Sequence, residues 1–203
     1  MILYGAPNPA PNPRRVRIFL EEKGIDLPET PIDLLNGEHK TPEFLARNSL
    51  GQLPTLVLDD GSSIAETVAI CRYFEEIKPA PVMFGRSAKE KAIVDMWVRR
   101  IEFQLMNPIG MVFLHTHPIA AQFNKQRRDF GESNRERVPS AMRWLDQELE
   151  GGDFIAGDTY SIADICALTS VDFADWIDLK VPDDCARLKA WRDRVSARPS
   201  ATA

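Results

Sequence analysis

The stretch GQLPTLVLDDGSSIAETVAICRYF, residues 51–74, decides the fold of the first part of the chain. Residues 55–58 and 62–65 are short apolar segments on either side of a turn-forming DDG sequence, which predicts a β-hairpin. Apolar residues then recur at helical spacing over residues 66–78, which predicts a helix. The stretch is therefore expected to form a ββα unit.

The residues before this stretch predict a βαβ unit. Residues 1–4 are the apolar start of a strand, and residues 27–35 are a candidate second strand. Between them, residues 13–23 have helical periodicity, with Asn12 as the expected N-cap and Pro13 as the first helical residue. A βαβ unit followed by a ββα unit implies a small mixed sheet with helices packed on it.

The strand pattern ends at the proline-containing sequence KPAPVMFGRS, residues 78–87. Beyond it, one long helical stretch covers residues 88–115. Further helices are expected at residues 140–149, 162–176 and 184–197. The sequence thus predicts an α/β domain at residues 1–78, a linker at 79–86 and an all-α domain at 87–203.

Composition narrows the function classes. The chain has 203 residues, 44% hydrophobic and 27% charged, which is typical of a globular protein. A net charge of -5 without a basic face argues against nucleic-acid binding. No apolar run is long enough to span a bilayer, and the N-terminal residues lack the pattern of a secretory signal, so a cytoplasmic protein without membrane contact is expected.

The three cysteines and the paired histidines predict no metal or redox site. Cys71 and Cys166 lie in apolar helical patterns and are interpreted as core residues, because the cysteine spacing matches neither a disulfide framework nor a CxxC motif. His115 and His117 lack a third ligand in a recognisable pattern, so no metal is expected.

The segment YSIADI, residues 160–165, carries a capping box. Ser161 is expected to cap the amide of Asp164, and the Asp164 carboxylate to accept from the amide of Ser161. Tyr160 and Ile165 stand at the two positions of a hydrophobic staple. These residues are interpreted as determinants of the fold with no direct role in chemistry.

Three segments together resemble the cytosolic glutathione transferase superfamily: LYGAPNPAPNPRRVRIFLEEKGI, GEHKTPEFLARNSLGQLPTLVLDDGSSIAETVAICRYF and TYSIADI. GEHKTPEFL is most similar to theta-type members, and PAPN resembles the PTPN turn of bacterial Nu-type members. The resemblance implies the glutathione transferase fold, with a thioredoxin-like α/β N-terminal domain that binds glutathione and an all-α helical-bundle C-terminal domain that lines the site of a small hydrophobic electrophile. It also implies a homodimer.

The resemblance assigns the peptide-binding part of a glutathione site. A cis bond between Leu53 and Pro54 is implied, which would turn the Leu53 backbone outward to pair with the cysteinyl unit of glutathione. Glu66 would bind the γ-glutamyl ammonium and Thr67 the neighbouring α-carboxylate. Residues alone would favour a trans proline and an ordinary helix start at these positions.

The glycine carboxylate of glutathione is assigned to His39 and Lys40, which stand where theta-type members hold that group. Gln52 is expected to assist them. Both assignments rest on the resemblance, since an exposed His-Lys pair is ordinarily solvated.

The thiolate-stabilising residue departs from the family pattern. Many members donate a hydroxyl to the sulfur, and Ala10 stands in that place. Asn12 is the candidate catalytic residue, because its side-chain amide can donate to the thiolate. Tyr4 is a weaker candidate, and Arg14 and Arg15 are interpreted as solvated or paired with carboxylates.

Three functions stay open from the sequence. The first is conjugation of reduced glutathione to small hydrophobic electrophiles. The second is glutathione-dependent reduction of disulfides or peroxides, and the third is a non-catalytic glutathione- or protein-binding module, because Ala10 cannot donate. Candidate pocket residues recur at three- and four-residue spacing along the long helix, although a position in the bundle core is the favoured interpretation of each: Phe103, Met106, Asn107, Gly110, Met111 and Leu114.

Overall fold

A computed structural model describes all 203 residues, Met1–Ala203. Contacts divide the chain into two compact units, one of Met1–Met83 with Thr202–Ala203 and one of Phe84–Ala201. None of the helices is both long enough and apolar enough to cross a membrane.

The first unit contains a four-stranded mixed sheet. Its strands are β1 (Ile2–Gly5), β2 (Glu29–Pro31), β3 (Thr55–Val57) and β4 (Ser63–Ala65), in the order β2-β1-β3-β4. β1 is parallel to β2 and antiparallel to β3, and β3 is antiparallel to β4. The predicted βαβ-ββα order and the hairpin are confirmed. The second strand is shorter than predicted, because Pro28 and Pro31 cannot donate to a strand ladder.

Three helices complete this unit: α1 (Pro11–Lys23), α2 (Pro42–Arg47) and α3 (Thr67–Ile77). α1 packs against α3. Cys71 is fully buried, as predicted. The core of the unit comprises Leu3, Val16, Ile18, Phe19, Phe44, Leu56, Ile70, Cys71 and Phe74.

The start of α1 differs from the prediction. The helix begins at Pro11, and Ala10 is its N-cap residue, with no side-chain cap. The prediction that Asn12 caps the helix is therefore wrong. Pro11 has a backbone geometry suited to the first turn, and its missing N–H costs nothing there, so the helix begins two residues earlier than Pro13.

A buried lysine at the end of α1 binds the end of α3. The Lys23 ammonium donates to the carbonyl oxygens of Lys78 at 2.9 Å, Pro79 at 3.1 Å and Pro81. It also pairs with the Glu75 carboxylate. These bonds satisfy carbonyl groups that the end of α3 and the following segment would otherwise leave without partners.

The second unit is entirely helical, as predicted. Its helices are α4 (Ala88–Arg100), α5 (Asn107–Thr116), α6 (Arg128–Arg135), α7 (Arg137–Glu148), α8 (Ile162–Trp176) and α9 (Ala186–Ser196). α8 has the predicted bounds, and residues 162–171 are all buried, Cys166 among them. α8 is therefore the central helix of this unit.

α4 and α5 form one helical stretch through a π-helical segment, Ile101–Met106. The Asn107 N–H donates to the Glu102 carbonyl, one residue further back than in an α-helix. Pro108 follows, and its ring would clash with the Gln104 carbonyl in a regular α-helix. The wider π turn accommodates this proline.

The long helical stretch buries a different face from the one that was assigned to the core. Ile101, Leu105, Ile109 and Val112 are fully buried. The residues whose favoured interpretation was a core position are all half-buried or exposed, so that interpretation is wrong: Phe103, Met106, Asn107, Gly110, Met111 and Leu114. Spacing alone could not distinguish the two faces, because this helix is apolar on both.

The capping box at the start of α8 is present. The Ser161 N–H donates to the Asp164 carboxylate at 2.9 Å, and Ser161 Oγ accepts from the Ala163 N–H at 3.3 Å. The same carboxylate accepts from the Ile155 N–H and from Trp191 Nε1, each at 2.9 Å. Burial raises the pKa of Asp164. Asp164 thus joins the start of α8 to α9 and to the preceding loop.

Candidate functional site

Strand register brings three predicted segments to one end of the sheet. Tyr4 lies opposite Thr55, and Thr55 lies opposite Ala65. The turn after β1, the residues before β3 and the start of α3 therefore adjoin one another. The assigned residues Leu53, Pro54, Glu66 and Thr67 occupy this end, and the turn leads into Asn12.

The turn between β1 and α1 is held by hydrogen bonds. The Ala10 N–H donates to the Pro7 carbonyl at 3.2 Å, and the Asn8–Pro9 bond is cis, which makes a type VI turn. Arg17 donates to the Ala6 carbonyl at 3.1 Å and to Asn8 Oδ1 at 2.6 Å. The chain thus enters α1 through a turn of defined geometry.

Asn12 offers two donors at the start of α1. It is exposed and is the second residue of the helix. Pro11 and Pro13 have no N–H, so Asn12 has the only backbone N–H among the first three helical residues. Its side-chain amide adds two further N–H groups. Together with the helix dipole, these groups can stabilise an anion that approaches the helix start.

The bond between Leu53 and Pro54 is cis, as the resemblance implied. The Gln52 carbonyl accepts from Asn48 Nδ2 at 2.9 Å and from Thr55 Oγ1 at 3.1 Å, which fixes the chain just before the proline. Leu53 lies two residues before the first residue of β3, so the sheet does not use its backbone groups. They can pair with an extended peptide.

The start of α3 combines an unusual backbone with a buried cation. Glu66 has a φ of 69° and is the N-cap residue, so the helix begins one residue later than predicted. Positive φ is uncommon for residues other than glycine and clusters at functional sites. Thr67 is buried, and its Oγ1 accepts from Arg15 Nη1 at 2.9 Å. A helix N-terminus, a hydroxyl and a guanidinium thus meet at this point, and such a group of donors is suited to an anion.

The burial of Arg15 contradicts the interpretation that its side chain is solvated. Only 2% of the residue is exposed, because it lies on the face of α1 that is buried with Ile18 and Phe19. Its spacing of three and four residues from these apolar positions could have revealed this. Arg17 and Asn48 were also not identified from the sequence, because their partners are loop atoms that no periodic pattern predicts.

The two residues assigned to the glycine carboxylate differ in environment. His39 is only 8% exposed, and its Nδ1 has no hydrogen-bond partner. Burial, and secondly the charge of Lys40, lower the pKa of His39. The Lys40 ammonium donates to the carbonyls of Leu50 at 2.8 Å and Gly51 at 3.3 Å. Lys40 therefore fixes the loop that leads into Gln52, which is exposed.

Comparisons with known proteins match both units of the chain to the glutathione S-transferase family. The family model of the glutathione S-transferase N-terminal domain matches residues 10–77, and the model of the C-terminal domain matches residues 105–199. Glutathione S-transferase 2 of Saccharomyces cerevisiae is 37% identical over 204 residues, which cover 98% of this chain and 87% of that protein.

Solved structures are also similar. The crystal structure of Gtt2 from Saccharomyces cerevisiae has a TM-score of 0.94 and 37% identity, and the match covers 100% of this chain and 99% of that one. A glutathione S-transferase domain-containing protein from Marinobacter aquaeolei has a TM-score of 0.94 and 38% identity, with 98% and 99% of the two chains covered.

Proposed function

The chain belongs to the glutathione S-transferase family, and from this premise we propose that it conjugates reduced glutathione to small hydrophobic electrophiles through a stabilised thiolate. The observation that carries the proposal is the position of Asn12. It has the only backbone N–H in the first three residues of α1, and it follows a turn at the end of the sheet where the other glutathione-binding candidates lie.

Glutathione binds as an extended peptide in this proposal. The backbone of Leu53 pairs with the cysteinyl unit, since β3 does not use it. The α-carboxylate of the γ-glutamyl group accepts from the Thr67 N–H and hydroxyl, and the positive charge of Arg15 favours that carboxylate. The exposed Glu66 carboxylate pairs with the ammonium group.

The glycine carboxylate lies near His39, Lys40 and Gln52. Lys40 has three N–H donors, and two of them are directed to the Leu50 and Gly51 carbonyls, so one is available for a carboxylate. The exposed Gln52 amide supplies another donor. His39 contributes a ring nitrogen that has no partner in the protein.

The chemical step needs a thiolate near neutral pH. A free thiol has a pKa of about 8.5, and each unit by which the site lowers it corresponds to about 1.4 kcal/mol of preference for the anion. The Asn12 N–H groups and the α1 dipole supply this preference. The thiolate then attacks the electrophilic carbon, a C–S bond forms, the leaving group departs with its electron pair, and the thiol proton passes to solvent.

The electrophile subsite draws on the half-buried face of α4, the π-helical segment and α5. Met106, Met111 and Leu114 on this face are apolar but not part of the core. Apart from its chain neighbours and the backbone of its own helix, Gly110 has no atom within 4 Å of the position its Cβ would take, which leaves room for a ligand. A flexible apolar surface of this kind accommodates varied small electrophiles.

The proposal is tested by ultraviolet difference titration of the thiolate. Wild-type protein and the Asn12→Ala variant are titrated with reduced glutathione across pH, with Asn36→Ala as a matched control, because Asn36 is an exposed asparagine outside the site. We expect saturable binding and a bound-thiol pKa below about 8.5 for wild type and Asn36→Ala, and a higher value for Asn12→Ala. Binding with an unshifted thiol pKa would favour a non-catalytic module, and no binding would overturn the proposal.

We also propose that the chain acts in the cytoplasm as a homodimer that removes reactive electrophiles. Large apolar side chains that are exposed on the chain alone support association, and Leu50 (60%), Phe103 (52%) and Met96 (39%) are among them. Light scattering after size exclusion should give twice the chain mass of 22.9 kDa. A monomeric mass at micromolar concentration would contradict the dimer and leave the proposed chemistry intact.

A further inference from the structure

One arginine on α1 binds two residues of the turn that precedes this helix, Ala6 and Asn8. We propose that Arg17 is a positioning residue for the thiolate site: it holds the turn of residues 6–10 so that Asn12 meets the glutathione sulfur. This inference rests on the proposed function, and it concerns a residue that does not itself touch the substrate.

Three contacts of the Arg17 guanidinium carry the inference. Nη1 donates to the Ala6 carbonyl and to Glu29 Oε1, both at 3.1 Å. Nη2 donates to Asn8 Oδ1 at 2.6 Å. One planar group thus binds the backbone of the turn, a side chain of the turn and the first residue of β2. These bonds fix the turn relative to both α1 and the sheet.

Apolar burial does not hold the tip of this turn, residues 7–9, in place, although Ala6 at its start is buried. Pro7, Asn8 and Pro9 are all exposed. Apart from the Arg17 contacts, the turn has the bond from the Ala10 N–H to the Pro7 carbonyl within it, and the Ala10 carbonyl accepts from the Arg14 N–H of α1 at 3.4 Å. The prolines restrict the turn's internal conformation, but they do not determine where it lies relative to the sheet. Arg17 supplies that constraint for the exposed tip, through Asn8.

Gly5 leaves the space that the Arg17–Glu29 pair requires. A Cβ at position 5 would lie 2.1 Å from Glu29 Oε1 and 3.5 Å from Pro13 Cβ. An alanine would therefore displace the Glu29 carboxylate, which is the flexible end of a side chain, and would leave the backbone nearly unchanged. Gly5→Ala thus weakens the hold on Arg17 without removing Arg17 itself.

The turn leads directly into the first turn of α1, so its position sets the direction of the Asn12 donors. Chemical steps depend steeply on such placement, and an error of about 1 Å can reduce the rate about 100-fold. Loss of Arg17 should therefore affect the thiolate and the chemical step more than it affects the affinity for the glutathione peptide, whose other contacts lie before β3 and at the start of α3.

The test compares Arg17→Met, Arg17→Lys and Gly5→Ala with wild type, using Arg47→Met as the matched control. Arg47 pairs only with the exposed Glu43 and lies over the Tyr4 ring. The readouts are the bound-thiol pKa and glutathione Kd from ultraviolet titration, kcat with a chlorodinitrobenzene electrophile, and the thermal midpoint.

We expect Arg17→Met to raise the bound-thiol pKa and to lower kcat about tenfold or more, with less than about a threefold change in Kd. Arg17→Lys should not restore activity, because a single ammonium cannot bridge the same acceptors. Gly5→Ala should also raise the bound-thiol pKa and lower kcat, each by less than Arg17→Met does. Arg47→Met should resemble wild type.

A wild-type thiol pKa and kcat in Arg17→Met would overturn the inference while the proposed function stands. A fall in kcat and in glutathione affinity that together follow a fall in the thermal midpoint would also overturn it, because that pattern indicates a structural role alone. If Arg17→Met does not fold, Gly5→Ala decides between the same outcomes. Failure of the wild-type protein to bind glutathione or to lower its thiol pKa would overturn the proposed function and this inference together.

Discussion

The ammonium of Lys23, the last residue of α1, pairs with the carboxylate of Glu75 in α3, and the Lys23 side chain has no exposed surface. The Glu75 carboxylate also accepts from the Met83 N–H at 3.0 Å. The pair therefore joins two helices and the segment that follows α3. Such a buried charge is tolerated because the ammonium has a carboxylate and three carbonyl oxygens as partners.

Removal of the Lys23 charge should strongly destabilise the first unit. Lys23→Met leaves the Glu75 carboxylate and three carbonyl groups without their cation, so we expect a loss of about 3–5 kcal/mol in the free energy of unfolding. Denaturant titration, monitored by far-ultraviolet circular dichroism, measures this loss. The double variant Lys23→Met, Glu75→Gln should recover part of it. Arg47→Met removes a pair in which Glu43 is exposed, so it should cost less than about 1 kcal/mol. An equal loss of stability in Lys23→Met and Arg47→Met would contradict the importance of the buried pair.

Asp164 should be nearly as sensitive in the second unit. Its carboxylate accepts from Ser161, Ile155 and Trp191, and Asp164→Ala would leave all three N–H donors buried without an acceptor. We expect a loss of about 3–5 kcal/mol by chemical denaturation. Ser161→Ala removes the helix cap and one hydroxyl bond to the carboxylate but leaves the three N–H donors paired, so it should cost about 1 kcal/mol. If the two variants were equally stable, the carboxylate would have no role beyond the cap.

The Thr67 hydroxyl should matter for one carboxylate of glutathione. Thr67→Val removes the hydroxyl and keeps the shape of the side chain, so we expect glutathione to bind about tenfold more weakly, because a hydrogen bond to a charged group contributes about 1.5–3 kcal/mol. Thr67→Ser should bind normally. Calorimetry with a glutathione analogue that lacks the γ-glutamyl α-carboxylate gives the decisive comparison, since wild type and Thr67→Val should bind that analogue equally. An unchanged penalty with the analogue would show that the hydroxyl acts elsewhere.

His39 should make stability depend on pH. Burial lowers the pKa of His39 in the folded protein, so below about pH 6.5 the unfolded chain binds more protons than the folded one. Stability then rises with pH through this range and is lost as the pH falls. We expect His39→Gln to lose less stability than wild type between about pH 7 and pH 5. Thermal midpoints of both proteins at the two pH values measure this difference. An equal fall in the midpoint of wild type and His39→Gln would rule out a contribution from His39.

The sequence predicted the elements whose signals are local. The DDG hairpin, the capping box of Ser161 and Asp164, and the bounds of α8 all follow from turn chemistry and spacing within a few residues. The cis bond at Leu53 came from the family resemblance and not from the residues. Each of these features is confirmed by the structure.

The features that the sequence did not predict depend on partners that are distant in the chain or on two competing local rules. Arg15 is buried by α3, which follows it by about fifty residues, as its bond to Thr67 across a separation of 52 positions indicates. At the start of α1, both Pro11 and Pro13 suit a first helical turn, and periodicity does not decide between them. The face of α5 that is buried depends on tertiary packing, since both faces are apolar.

The positive φ of Glu66 has a consequence for selection. A glycine adopts that backbone conformation without steric cost, whereas a non-glycine residue there costs about 1–3 kcal/mol. A screen that rewards only heat resistance should therefore enrich Glu66→Gly, even though this replacement discards the carboxylate beside Thr67. Selection for the proposed glutathione contact of Glu66 should oppose this replacement, so variants of the chain that are released from that selection are expected to lose the glutamate early.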